Sequence, residues 1–163
     1  MKRFIALLLP VALMMTGCEP AAESHAAEAV PTTNPSGMTK AQWKEKLPPL
    51  TYRVMFEAHT EPPFRNPYHD KKDKGTYVSA ATGAPLFRSE DKYDSRTGWP
   101  SFTKPIKEGA VVVKEDPDGS GRLEVLDPTC DGHLGHMFDD GPAPTGQRYC
   151  MNSAAMKFVP DEK

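Results

Sequence analysis

At 163 residues and a formal charge of −2, the chain is long enough for one domain with appendages and too short for two. Its 20 Lys and Arg are scattered among 22 Asp and Glu, so no basic face is left for a nucleic-acid partner. Three cysteines allow at most one disulfide bridge, which excludes a disulfide scaffold.

In chain order, Lys2 and Arg3 precede an apolar run from Phe4 to Met15 and the sequence Thr16-Gly17-Cys18. The run is short for a bilayer span and suits the core of an export signal. Thr16-Gly17-Cys18 resembles a bacterial lipoprotein cleavage box, which predicts removal of residues 1–17, a lipid on Cys18 and a chain anchored on the periplasmic side. Cleavage near Ala21 and Ala22 by an ordinary signal peptidase is the alternative. Loss of residues 1–17 removes two cations and no acids, taking the formal charge from −2 to −4. Residues 18–38, rich in Ala, Pro, Ser, Thr and Glu, have little to bury and are expected to form a flexible linker spanning roughly 25 Å.

A domain over 39–163 follows. Thr39 and Gln42 have capping-box spacing for a short helix carrying Trp43, which Pro48 and Pro49 end. Leu50, Val54 and Ala58 recur at helical spacing before Thr60-Glu61-Pro62-Pro63. From Thr76 the pattern becomes short strands: Thr76–Ser79 and Pro85–Phe87 about a turn at Thr82-Gly83, then 110–115 and 122–126 about the hairpin signal Asp116 to Gly121. Strands at 134–138 and 148–152, with an edge at 156–159, complete an α+β, mainly β, class.

The stretch from Cys130 to Asn152 concentrates the chemistry. Arg148, Cys150 and Asn152 alternate, so in a strand they share a face. A thiol near Arg and His is expected to favour its thiolate, the nucleophilic form; a lone strand cysteine would otherwise be a small buried hydrophobe. His133 and His136 can be structural, can orient a water or donate protons beside the thiol, or can join Cys130 as C-x-x-H-x-x-H around a metal. Three ligands at that spacing cannot converge from one strand, so no metal is expected. Gly98-Trp99-Pro100-Ser101-Phe102 is either core and rigid turn or the apolar wall of a pocket.

Taken together, Gly75-Thr76-Tyr77, Pro85-Leu86-Phe87, Lys92 to Ser95, Gly98 to Phe102, His133 to Phe138, Asp140-Gly141-Pro142 and Arg148 to Ser153 resemble the B-type methionine sulfoxide reductases, over about residues 47–160. The resemblance implies two antiparallel sheets with short N-terminal helices, and reduction of methionine R-sulfoxide, free or in proteins, as repair of oxidised extracytoplasmic proteins. It implies Cys150 as nucleophile, Trp99 against the substrate methyl, and His136, Asp140, Arg148 and Asn152 on the polar side with His133 close by. Cys150 then becomes a sulfenic acid, which a second thiol must reduce. Two departures bear on this. The positions of a structural zinc site in many members hold Ser79, Thr82, Asp127 and Cys130, so zinc is not expected. Thr97 stands where many members carry the resolving cysteine. That leaves Cys130 as the alternative resolver and an external, thioredoxin-like thiol donor as the expectation. A degenerate module that binds methionine sulfoxide without turnover and a structural domain with a Cys130–Cys150 disulfide are the rival readings.

Overall fold

A computed structural model describes residues 35–162. The leader 1–17, the lipidation site Cys18 and most of the expected linker lie outside the described residues. Of the linker's end, Met38 is half-buried and packs against the core.

Helix α1 (Lys40–Lys46) starts with the capping box read from the sequence, Thr39 and Gln42 each satisfying the other's backbone N–H. Helix α2 (Pro49–Phe56) opens on Pro49, whose missing N–H is no loss in a first turn. Its buried face differs from the expected stripe. Thr51, Tyr52, Val54, Met55 and Phe56 are buried, whereas Leu50 is 44% exposed. Ala58 lies beyond the helix end with φ +50°, so it extends no helical face.

Among the described residues nine strands follow: β1 (Gly75–Ser79), β2 (Pro85–Arg88), β3 (Lys92–Tyr93), β4 (Ser101–Phe102), β5 (Val112–Glu115), β6 (Leu123–Leu126), β7 (His133–Phe138), β8 (Arg148–Met151) and β9 (Met156–Pro160). They form two antiparallel sheets, ordered β2-β1-β9 and β3-β4-β8-β7-β6-β5. The α+β, mainly β class with two sheets and short N-terminal helices is what the structure has. Strands β3 and β4 were not anticipated: each is two residues long, and β4 exists because Ser101 and Phe102 ladder with Cys150 and Tyr149.

Aromatic rings join the sheets. Phe87 of β2 stacks on Phe102 of β4 with centroids 4.4 Å apart, Tyr77 meets Phe102 edge-on at 5.0 Å, and Phe87 also touches Tyr149. Such pairs add about 0.5–1.5 kcal/mol each beyond area burial. They anchor β8, which carries Cys150, from beneath.

The four positions aligned with a zinc site are tied to one another by hydrogen bonds. Ser79 Oγ accepts from the N–H groups of Ala81 and Thr82, Thr82 Oγ1 donates to Asp127 Oδ2 at 2.7 Å, and Asp127 Oδ1 accepts from Thr129 N–H at 2.7 Å and Cys130 N–H at 3.4 Å. Two of the four are hydroxyls, which are poor zinc ligands, and the Asp127 oxygens are already engaged. This set does not fit the ion. Burial pushes the Cys130 thiol up to about 12, aided by the Asp127 carboxylate.

Candidate active site

Strands β4, β8 and β7 lie side by side, and register sets Ser101 opposite Cys150 and Cys150 opposite His136. Above Cys150 is a cleft of about 150 Å³ lined by Thr60, Trp99, Arg122, Gly135, His136, Phe138, Cys150, Met151 and Asn152. Gly135 is required where β7 runs against β8, because a Cβ there would lie 2.1 Å from the Cys150 carbonyl oxygen.

The sulfur is half-buried among hydroxyls and one cation. Thr97 Oγ1 is 4.0 Å from Cys150 Sγ, and Ser101 and Arg148 also act on it. Ser95 Oγ bonds both Thr97 Oγ1 at 2.9 Å and Ser101 Oγ at 2.7 Å, which fixes the pair. The expectation that the site favours the thiolate is corrected here. Burial pushes the Cys150 thiol above its ordinary value, and Arg148 with the Thr97 and Ser101 hydroxyls pulls it only part of the way back. Desolvation is the largest of these causes and decides the direction.

Arg148 is buried and held by both carboxylate oxygens of Asp140, at 2.7 and 2.8 Å, with its guanidinium 4.3 Å over the Phe138 ring. That double bond of Asp140 to Arg148 holds the Asp140 carboxyl below the usual range. Neither Asp140 nor Arg148 is among the residues that line the cleft; Arg148 acts on the Cys150 sulfur, and Asp140 does so only through Arg148. Asn152 is fixed at the end of β8: its Nδ2 donates to the Leu134 carbonyl at 3.2 Å, and its Oδ1 accepts from Glu61 N–H at 3.2 Å. Trp99 lines the cleft with its indole N–H given to the Glu61 carbonyl at 3.0 Å, so the Gly98 to Phe102 motif forms a pocket wall as well as a turn. Its turn needs a glycine: Gly98 has φ +87°, and a Cβ would meet the Phe64 ring at 2.7 Å.

The two histidines part ways. A bulge on β7 between the Leu126–His133 and Val125–Gly135 pairs brings rings three residues apart to 5.1 Å between centroids. His136 lines the cleft and bonds Asp116 Oδ2 through Nε2 at 2.9 Å. His133 instead bonds Glu124 Oε1 through Nδ1 at 2.7 Å and lines a separate cavity of about 200 Å³ against α2. Burial draws the His133 imidazole below its ordinary value despite the Glu124 carboxylate. Cys130 joins neither wall; it is 1% exposed, and no disulfide links it to Cys150. Among the described residues there is no group of three or more His, Cys, Asp or Glu side chains arranged to hold a metal.

Among the residues near the cleft without a role in the sequence reading are Glu61, which ties Trp99 to Asn152, Asp116 and Glu124, which grip the imidazoles, and Arg122, which lines the cleft and bonds Asp116. Glu61 sat in a Pro-rich segment and Asp116 in a turn signal, and both reach the site only through tertiary contacts.

Residues 47–160 match the SelR domain family model. A peptide methionine sulfoxide reductase MsrB of Leptospira interrogans is 51% identical over 117 residues, covering 71% of this chain and 89% of that protein. One from Acinetobacter baylyi is 47% identical over 126 residues, covering 77% and 91%. The peptide methionine sulfoxide reductase MsrA/MsrB of Vibrio cholerae is 53% identical over 123 residues, but this chain spans only 32% of its length. With the SelR match covering most of the chain and whole-length relatives at about half identity, this chain belongs to the B-type methionine sulfoxide reductase family.

Proposed function

We propose that the chain is a peptide-methionine (R)-S-oxide reductase, acting on methionine sulfoxide free or in proteins, with Cys150 as its nucleophile. The observation that carries this is Cys150 at the floor of a cleft that has an indole on one side and His136 and Asn152 on another. A sulfoxide carries an apolar methyl and a polar oxygen on one sulfur; Trp99 suits the first, and the polar side suits the second. With both ends fixed, only one epimer presents its sulfur to Cys150.

The chemistry balances on these groups. Cys150 Sγ attacks the sulfoxide sulfur while the oxygen is protonated and its bond to sulfur breaks. The released hydroxide then bonds to Sγ as the bond between Sγ and the methionine sulfur breaks, which frees methionine and leaves Cys150 as a sulfenic acid, so the cysteine sulfur loses two electrons and the methionine sulfur gains two. Arg148 offsets negative charge on Sγ as it sheds its proton. Two external thiols then return Cys150 to the thiol, releasing water and their own disulfide. The reducing partner is a thioredoxin-like thiol donor; no metal or organic cofactor enters the scheme.

Export and lipid attachment at Cys18 rest on residues 2–18 alone, and with them the role in repair of oxidised proteins outside the cytoplasm. Incorporation of labelled palmitate that is lost in Cys18→Ser tests them; an unlabelled, unprocessed chain would place the protein elsewhere.

The test of the activity is a single turnover. Reduced protein with an epimer mixture of a methionine sulfoxide peptide should release about one methionine per chain, from the R epimer alone, and Cys150→Ser should release none. Binding without methionine release would make the chain a non-turnover module, and equal loss of both epimers would sink the pocket assignment.

A further inference from the structure

The turn joining β5 and β6 borders the cleft at its two ends, where Arg122 lines it and Asp116 bonds His136. Asp116 Oδ2 lies 2.9 Å from His136 Nε2 and 3.0 Å from Arg122 Nη2. The turn is braced by its own bonds: Asp116 Oδ1 accepts from Asp118 N–H at 3.1 Å, and Arg122 Nη2 also reaches Asp118 Oδ2 at 2.6 Å. A carboxylate has only lone pairs to offer, so the proton between Asp116 and His136 sits on Nε2. The His136 hydrogen bond is the largest cause holding the Asp116 acid below its ordinary value.

The other charged or titratable groups near the ring are engaged elsewhere. Glu124, opposite His136 on β6, bonds His133, and Arg148, beside Cys150 on β8, bonds Asp140. Among the described residues Asp116 alone hydrogen-bonds the His136 ring.

We propose that Asp116 is a positioning residue for sulfoxide reduction: it fixes His136 as the Nε2–H tautomer and so leaves Nδ1, with its lone pair, as the nitrogen that serves the cleft. Which ring nitrogen carries the proton is set by the bond the other one makes. This rests on the reading of Cys150 as nucleophile. When Sγ bonds to the sulfoxide sulfur, the S–H bond breaks and its proton passes by way of a water in the open cleft to Nδ1 of His136, which the register sets opposite Cys150. As the sulfur–oxygen bond breaks, Nδ1 gives that proton to the departing oxygen. The imidazole ends the step as it began, and Asp116 balances the transient imidazolium through Nε2–H.

The test uses the full chain labelled with ¹⁵N-histidine. The two ring-nitrogen shifts of His136, identified by their loss in His136→Gln, should report Nε2–H in the wild type. In Asp116→Asn the amide can donate to Nε2, so the population should move toward Nδ1–H, with kcat down about ten- to a hundredfold and KM within about twofold. Asp116→Glu, which keeps a carboxylate, should retain the tautomer and most of kcat. An Nδ1–H tautomer in the wild type overturns the proposal outright, whether or not the Asn variant folds. So does an Asn variant with unchanged tautomer and kcat. Methionine release by Cys150→Ser would instead sink the nucleophile assignment and leave the tautomer reading standing.

Discussion

Trp99 gives its indole N–H to the carbonyl of Glu61, and Glu61 gives its own N–H to Asn152 Oδ1, so the apolar and polar walls of the cleft are tied to one residue. The Glu61 carboxylate is 3% exposed and accepts from the N–H groups of Ser153 at 2.5 Å and Ala154 at 2.9 Å. Burial raises its pKa, and those bonds lower it by less. Glu61→Ala leaves two backbone donors unpaired and should cost about 2–5 kcal/mol in urea unfolding. The pH dependence has a definite sign. An acid whose folded pKa is raised binds its proton more tightly when folded. Its contribution is therefore full below the ordinary value of 4.5 and is lost as pH rises through the folded value. The stability of wild type relative to Glu61→Gln should fall as pH rises above the ordinary value of 4.5. A difference that grows over that range would mean the carboxylate is ionised at a net gain.

Alkylation of Cys150 reads its thiolate. Because burial outweighs Arg148, the rate of reaction with iodoacetamide should rise with pH about a midpoint above the ordinary thiol value of 9.0. Arg148→Met removes the cation that opposes burial, so the midpoint should climb further and the rate at pH 8 should drop about tenfold, one unit of pKa being a tenfold change in thiolate. Asp140→Asn, which loosens the grip on Arg148, should act in the same direction but less. A midpoint below 9.0 in the wild type would show that the cation wins.

Much of this was legible because local chemistry carried it. The Asp-Pro-Asp-Gly turn, the Thr39 capping box and the alternation of Arg148, Cys150 and Asn152 each specify structure within a few residues. What was hidden depends on partners far along the chain. Ser101 and Phe102 sit after Gly and Pro in a stretch with no strand pattern, and only the ladder to β8 makes them a strand. Of the apolar period in α2, Val54 is buried as expected, whereas Leu50 faces outward because Thr51 and Met55 take the buried side beside it. The thiolate expectation counted charges near Cys150 and left out the cost of burying them, which sequence spacing does not display.

Asp127 does the holding in the four-residue cluster, where Ser79 and Thr82 put hydroxyls at two of the four positions. It is fully buried, and its two oxygens serve Thr82, Thr129 and Cys130. Asp127→Ala should therefore cost about 2–5 kcal/mol, since it strands buried donors. Wild-type protein dialysed against chelator should carry well under one zinc per chain by atomic emission. The triple variant S79C/T82C/D127C supplies three thiols beside Cys130 and should take up one zinc. Stoichiometric zinc in the wild type would show that hydroxyl and carboxylate positions suffice.

Regeneration of Cys150 follows from where Cys130 sits. A disulfide needs the two Cα atoms within about 7 Å. Cys150 is opposite His136, whereas Cys130 precedes His133, the first residue of β7; three strand steps alone cover about 10 Å. The intervening loop is not slack. Asp127 N–H bonds the Gly132 carbonyl, Asp131 N–H bonds the Asp127 carbonyl, and a Cβ on Gly132 would meet Met55 of α2 at 2.7 Å. To reach Cys150, Cys130 would have to leave the core, break the Asp127 bonds, and shed a proton held up to about 12. An external thiol needs only to enter a cleft that is already open on Cys150. After one turnover without reductant, intact-mass measurement should find a Cys150 sulfenic acid that dimedone traps, in wild type and Cys130→Ser alike. A Cys130–Cys150 disulfide in most molecules would show that the 127–132 loop swings inward, and the hydrogen bonds that close it would then have to be weaker than their geometry implies.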